Sequence, residues 1–186
     1  MIQKICLAIF VLAEMAHAAP RAIDTNTSTM TVHVGKSGAF SAFGHDHVIA
    51  APIASGSADS EGHHVQLRVE AAALRVRDPK GSDSDKAQIE KTMLGPEVLD
   101  SARHREIVFQ STSAVSAGSG AWTVQGNLTL HGETRPVTVT VREQSGHFTG
   151  SASFRQTEFG IQPVKVAGGT VKVKDEVHIV FDIRLE

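Results

Sequence analysis

The sequence predicts an all-β protein, an antiparallel β-barrel of about eight strands with a short helical insertion. Apolar and polar residues alternate with a period of two through most of the chain after residue 29, as in strands with one dry face and one wet face. Only one stretch has residues that favour the start of a helix followed, at a suitable distance, by residues that favour its end. A closed barrel is favoured over an open sheet of this size because closure removes two exposed edge strands.

The stretch from Trp122 to Val141 predicts an antiparallel β-hairpin. Two alternating runs of apolar residues flank a polar turn that extends from His131 to Pro136. β-branched residues are frequent in both runs, which favours extended backbone. The residues expected on the dry face are Trp122, Val124, Gly126, Leu128, Leu130, Val137, Val139 and Val141.

Further strands are predicted on both sides of this hairpin. A proline at position 52 indicates an edge or a bulge within one of them. The strand that starts at Val65 is expected to continue through Val76. The segments expected to be extended lie at Met30–Val34, Val48–Ser57, Val65–Ala71, Glu106–Ser113, His147–Gln156 and Val177–Leu185; of these, Val48–Ser57 is apolar and small rather than alternating.

The helical insertion is predicted after the loop at residues 78–82. Asp85 is expected to cap the helix, and Gln88 three residues later completes a capping-box pattern. Gly95 is expected to end the helix, and Pro96 to begin a short second turn.

Residues 1–18 predict a cleaved export signal. Lys4 supplies a positive charge, residues 5–12 are apolar, and Ala16-His17-Ala18 fits a small-x-small cleavage site. The apolar run is too short to span a bilayer. We therefore expect a single domain at residues 19–186, located in the periplasm or secreted. The only cysteine, Cys6, lies in the signal, so no disulfide is expected.

The charge balance argues against a nucleic-acid partner. The formal net charge is −2, with 18 basic and 20 acidic residues, so there is no basic surplus to neutralise phosphates. The local basic cluster Arg103-His104-Arg105 could attract an anionic head group or a membrane surface, so transient membrane contact stays open. A solvated loop is the simpler interpretation.

Four phrases of the sequence together resemble the YceI-like family of periplasmic proteins. They are IVFQSTS at Ile107–Ser113, GNLTLHGETRPV at Gly126–Val137, FGI at Phe159–Ile161, and KDEVHI at Lys174–Ile179. Their order and spacing also fit the family. The phrase GHDH at residues 44–47 resembles a sub-branch of it, so ligands known from other branches need not transfer.

The resemblance implies a lipocalin-like barrel that binds isoprenoids or other long-chain lipids and has no agreed catalytic activity. We expect the partner to be an isoprenoid, an isoprenoid quinone or a fatty-acid-like lipid, and we expect no cofactor, no metal and no catalytic residue. No strong catalytic motif occurs, neither a G-x-S-x-G elbow nor a phosphate-binding loop. The apolar residues expected to contact the ligand are Phe40, Phe43, Phe109, Leu128, Leu130, Phe154, Ile179 and Phe181.

His45 and His47 are the sharpest polar candidates. In extended backbone they face the same way, as two ligands of one metal would, and a third could come from His33, His63, His64 or His131. Contact with the head group of a lipid and a purely structural role are the alternatives. A metal-binding protein or metal-dependent enzyme is therefore a second hypothesis, and an envelope-stress interaction module without a ligand is a third. The oligomeric state is not predicted.

His131 and Gly132 are interpreted as turn residues. Gly132 is expected to supply an unusual backbone angle, and His131 to bond a carbonyl. A gate at one mouth of the barrel is the alternative.

Overall fold

A computed structural model describes residues 19–37, 46–59, 64–166 and 171–186. These residues form one antiparallel sheet and one α-helix, α1 (Asp83–Leu94). Within the same ranges, no helix is both long enough and apolar enough to cross a membrane. The strands are β1 (Arg21–Ala22), β2 (Thr29–Ser37), β3 (His47–Ala50), β4 (Ile53–Ala58), β5 (Val65–Glu70), β6 (Arg75–Val76), β7 (Glu106–Gly118), β8 (Ala121–Leu130), β9 (Glu133–Gln144), β10 (His147–Arg155), β11 (Lys165–Val166) and β12 (Val171–Arg184).

The strand pairings close the sheet into a barrel of eight long strands, which confirms the predicted fold class. Three of the eight long strands are interrupted, and each of them consists of two segments: β1 with β2, β3 with β4, and β5 with β6. β2 pairs with β3 and β12, β1 pairs with β4, and Ile23 after β1 bridges to Leu185 after β12. The long strand formed by β5 and β6 pairs with the one formed by β3 and β4, through β6 with β3 and β5 with β4. From β5 the ring continues through β7, β8, β9, β10 and β12, each paired with the one before it.

Two of the interruptions show how the sequence departs from a uniform strand. Pro52 separates β3 from β4, and the register shifts between Ile53 and Ser55, as expected for a proline at a bulge. The strand predicted to continue from Val65 through Val76 is broken by a 3-10 turn at Ala71–Ala73. Ala71 is almost fully buried there, so the chain bends around a packed alanine.

The β8–β9 hairpin has a shorter turn than predicted. The turn consists of His131 and Gly132 alone, because β9 already begins at Glu133. Both turn residues have positive φ, 53° and 79°, which is typical of a two-residue type I′ hairpin turn. The polar residues from Glu133 to Pro136 therefore belong to the strand, and their polarity reflects exposure to solvent rather than a loop.

Helix α1 covers one end of the barrel. Its cap is Ser82, so the prediction that Asp85 caps the helix is wrong. The Ser82 hydroxyl accepts a hydrogen bond from the Asp85 N–H (3.1 Å), and the Asp85 carboxylate accepts one from the Ser82 N–H (3.1 Å). This is a capping box with Asp85 at its third position. The helix ends before Gly95 as predicted, and Met93 is buried against the barrel core.

Two ends of the barrel can therefore be distinguished. The helix end carries α1 and the His131-Gly132 turn. The hairpin end carries the β4–β5, β7–β8 and β9–β10 connections together with the end of β12.

Candidate functional site

The inward faces of the strands enclose a cavity of about 150 Å³ toward the hairpin end, here called the barrel cavity. Of the 22 described residues that line it, Asp59 is the only charged one. An apolar space of this volume holds a group of about the size of benzene. The lining includes Ile23, Leu67, Trp122, Val124, Phe148, Ala152, Ile183 and Leu185.

Five of the apolar residues predicted to contact a ligand lie on this cavity. They are Phe109, Leu128, Phe154, Ile179 and Phe181. Leu130 is buried at 6% exposure in the core cluster that also includes Met93 of α1. The lining of neither cavity described here includes Leu130. Phe40 and Phe43 lie outside the described residues.

Glycines in the wall leave space for two of the phenylalanine rings. Gly150 pairs directly with Phe181 across β10 and β12, and a Cβ atom at Gly150 would lie 2.5 Å from the Phe181 ring. Gly126 of β8 is in similarly close contact with the ring of Phe109. The rings therefore lie against the wall of the barrel, and both line the barrel cavity.

Asp59 is buried, with 5% of its surface exposed, and forms hydrogen bonds with the backbone. Its carboxylate accepts a hydrogen bond from the His64 N–H (3.0 Å), and its own N–H donates to the His64 carbonyl (3.0 Å). These bonds tie together the two residues that flank the β4–β5 connection. The carboxylate thus has a structural role at the hairpin end of the cavity.

A 3-10 turn at Gln156–Phe159 lies on the core side of the barrel cavity. Phe159 is fully buried, and its ring contacts Phe154 edge-to-face at 5.1 Å between centroids, a favourable aromatic arrangement. Gln156 at the start of the same turn donates from Nε2 to the Lys174 carbonyl (2.8 Å) and lines a second cavity. The turn therefore lines the second cavity through Gln156 and packs against the barrel-cavity residue Phe154 through Phe159.

The second cavity, here called the helix cavity, has a volume of about 450 Å³ and lies between α1 and the helix ends of β2, β3 and β12. Its volume falls in the range typical of small-molecule sites, about 300–1,000 Å³. Its lining mixes apolar and polar side chains. The polar ones are Lys36, His47, Gln88, Thr92, Gln156 and Lys172, and the apolar ones include Val34, Ile49, Ile89, Met93, Val98 and Val173.

His47 is held at this cavity by a buried carboxylate. His47 pairs with the inward-facing Val34, and its Nδ1 lies 2.8 Å from Asp78 Oδ2. The Asp78 side chain is fully buried and also accepts a hydrogen bond from the Val48 N–H (2.7 Å). A carboxylate on one ring nitrogen fixes the orientation of the imidazole. The sequence predicts a loop at Asp78 and contains no pattern that indicates burial of its carboxylate.

The other histidines proposed as metal ligands have different surroundings. His33 faces outward from β2 and contacts His178 at 6.4 Å between ring centroids. His131 donates from Nδ1 to the Phe159 carbonyl (3.2 Å) and packs against His104, which confirms its interpretation as a turn residue bonded to a carbonyl. His45 and His63 lie outside the described residues. Among the residues that the structure describes, no group of three or more metal-ligating side chains is placed to hold an ion.

Lys36 and Lys172 are site residues that the sequence analysis missed. A signal existed for Lys36, because it continues the inward-facing series Met30, Val32 and Val34 at a spacing of two. Lys172 offered no such signal, since it directly precedes Val173, which also lines the cavity, and alternation assigns neighbouring residues of a strand to opposite faces.

Comparisons with known proteins agree with this fold. Residues 22–185 match the YceI-like domain family. A UPF0312 protein of Vibrio cholerae is 28% identical over 132 residues, covering 65% of this chain and 68% of that protein. A UPF0312 protein of Vibrio parahaemolyticus is 31% identical over 115 residues, covering 56% and 59% respectively.

Two solved structures have a similar fold at low sequence identity. BcnA of Burkholderia cenocepacia superimposes with a TM-score of 0.63 at 19% identity, covering 87% of this chain and 98% of that chain. The YCEI protein of Campylobacter jejuni superimposes with a TM-score of 0.53 at 8% identity, covering 99% and 93%. At these identities the similarity concerns the fold alone.

Proposed function

Because this chain belongs to the YceI-like family, we propose that it is a binding protein for a long apolar ligand whose tail enters the barrel cavity. The ligand classes are isoprenoids, isoprenoid quinones and fatty-acid-like lipids. The observation that carries the proposal is the described lining of the barrel cavity, in which apolar side chains surround one carboxylate that is already hydrogen-bonded to backbone.

Binding in this cavity would be driven by removal of the tail from water. Each buried methylene contributes about 0.8 kcal/mol. The barrel cavity of about 150 Å³ holds only a short segment of such a tail, of about the size of benzene. The rest of a long ligand must therefore displace lining side chains, reach the helix cavity, or extend into solvent. Specificity would come from the few polar groups around the apolar space.

A binding role is favoured over a catalytic one by the chemistry of the barrel cavity. Among its described lining residues, the Asp59 carboxylate is the only titratable group, and it bonds the backbone of the neighbouring connection. A catalytic acid or base needs to reach the reacting atoms. We propose that the residues at the apolar space position a ligand and do not react with it.

We also propose that the protein acts after export. Residues 1–18 have the charge and apolar pattern of a cleaved signal, which would leave residues 19–186 as the mature domain in the periplasm or outside the cell.

Extraction of lipids from the purified protein tests this function. Protein produced with its export signal and without a tag is extracted with organic solvent, and the extract is analysed by mass spectrometry. A co-purifying long-chain lipid in near-stoichiometric amount is expected. Protein that carries no lipid, and that also fails to take up any long-chain probe after delipidation, would contradict the proposal.

Elemental analysis of the same sample tests the metal hypothesis, which requires a stoichiometric metal that is lost in the His47→Ala variant.

A further inference from the structure

The two cavities differ in the charge of their linings. Among the described residues that line the barrel cavity, the acidic Asp59 is the only charged one. The helix cavity has two lysines, Lys36 and Lys172, together with His47, and none of its described lining residues is acidic. An amphipathic ligand with an acidic end would therefore place that end near the lysines of the helix cavity and its apolar part against the lining of the barrel cavity.

The two lysines approach the helix cavity from neighbouring strands. Lys36 of β2 pairs with Val173 of β12, and Lys172 pairs with Ser37, so the two lysines are offset by one position and leave the backbone on opposite faces of the strand pair, and both side chains border the cavity. Lys36 is half-buried and Lys172 is exposed. From the opposite side, α1 contributes Gln88, whose amide group can donate hydrogen bonds to an anion, and Thr92, whose hydroxyl donates to the Gln88 carbonyl (3.1 Å).

Two described carboxylates close to this cavity form hydrogen bonds within the protein. Asp78 is buried behind the cavity lining, where it accepts from His47 Nδ1 and the Val48 N–H. Asp46 is exposed and accepts from the Lys36 N–H (3.2 Å). Since a half-buried cation interacts more strongly with a charged partner than an exposed one does, Lys36 is the stronger of the two anchors.

We propose that the helix cavity binds the acidic end, a carboxylate or phosphate, of the ligand whose tail lies in the barrel. This inference rests on the proposed function and deepens it, because it selects acidic lipids over neutral ones such as quinones. The cavity of about 450 Å³ has room for such a head group and for part of the chain attached to it.

The test compares two probes that differ only in the head group, hexadecanoic acid and hexadecan-1-ol, at a pH where the acid is ionised. Their dissociation constants are measured for the wild type and for the Lys36→Gln, Lys172→Gln and double variants. Lys91→Gln is the matched control, because Lys91 is exposed on α1 and does not line the cavity. Circular dichroism verifies that each variant is folded.

The double variant is expected to lose about tenfold in affinity for the acid, the size of one charge-assisted hydrogen bond, and to keep its affinity for the alcohol. An unchanged ratio between the affinities for acid and alcohol, or an equal loss in Lys91→Gln, would overturn the proposal.

Inorganic phosphate distinguishes the acidic head group of a lipid from a free anion as the occupant of the helix cavity. If phosphate alone stabilises the wild type but not the double variant, while the acid-to-alcohol ratio is the same in both proteins, the cavity binds a free anion and the head-group assignment is wrong. Failure of both probes to bind the wild type would instead contradict the proposed function itself.

Discussion

Gly150 and Phe181 face each other across β10 and β12, and the Phe181 ring fills the space that a side chain at position 150 would need. The absence of a side chain on one strand thus places an aromatic ring of the next strand against the barrel wall. The barrel cavity depends on this arrangement, because a ring displaced from the wall moves inward.

Gly150→Ala is expected to destabilise the protein and to narrow the barrel cavity. The added methyl would meet the Phe181 ring and the Thr140 carbonyl oxygen, and overpacking of this kind costs about 1–3 kcal/mol. Urea unfolding measures the loss. Ser151→Ala is the matched control, since Ser151 points to the outer face and its hydroxyl contacts only exposed groups of β9. Equal stability of the two variants would contradict the role assigned to Gly150.

Gly132→Ala is expected to cost more stability than Gly146→Ala. Both glycines have nearly the same positive φ, 79° and 80°, so an alanine pays a similar backbone penalty of about 1–2 kcal/mol at either turn. A Cβ at position 132 would also lie 2.7 Å from the His104 ring, whereas nothing lies within 4 Å at position 146. The difference between the two midpoints of thermal unfolding isolates the His104 contact, and identical midpoints would show that His104 moves aside freely.

Asp78→Ala is expected to destabilise the protein by about 1–3 kcal/mol, because the Val48 N–H and His47 Nδ1 each lose an acceptor in a buried place. Asp78→Asn retains one acceptor oxygen and should lose less. Chemical denaturation gives both values, with the exposed Glu97→Ala as the control for removal of a carboxylate. Nitrogen NMR of His47 adds a second readout, since its ring tautomer should change in both Asp78 variants. Unchanged stability and an unchanged His47 spectrum would contradict the assigned contact.

Thr27→Val is expected to raise the pKa of Asp24. The Thr27 hydroxyl donates to Asp24 Oδ2 (2.6 Å) and, together with the Asn26 N–H (2.9 Å), holds the pKa of this carboxyl below its ordinary value of 3.8. A carboxyl whose pKa is lower in the folded state stabilises the fold above its unfolded pKa, and this contribution is lost as the pH falls through the folded pKa.

An NMR titration of the Asp24 carboxyl carbon follows this change, with Thr25→Val as a nearby exposed control. If the Asp24 pKa is the same in Thr27→Val and the wild type, the hydroxyl is not its main determinant.

Much of the barrel could be predicted from the sequence because alternation is a local property of each strand. Val124 and Val139, for example, follow from the period of two alone. The closure at Ile23 and Leu185 and the break at Ala71 depend on long-range packing, which no local pattern encodes. Local turn chemistry predicts the turn at Gly132 but not its length, because the polar residues from Glu133 to Pro136 lie in an exposed part of β9.

The candidate site was predicted less completely, for reasons that differ between residues. Phe109 and Phe181 followed from alternation, whereas their rings lie at the wall because of Gly126 and Gly150 on the neighbouring strands. Asp78 could not be predicted, since a loop aspartate becomes a buried partner of His47 only when β3 is in place. Both cases involve contacts between segments far apart in the chain.

The most direct test of the central claim is the affinity for a neutral long-chain probe, hexadecan-1-ol, in two variants of adjacent residues on β10. Ala152 lines the barrel cavity, and Ser153 lies on the outer face, where its hydroxyl contacts His178. Ala152→Leu fills part of the cavity and is expected to weaken binding by at least about tenfold, while Ser153→Leu should bind as the wild type does. Equal affinity of all three proteins would place the tail outside the barrel and contradict the account.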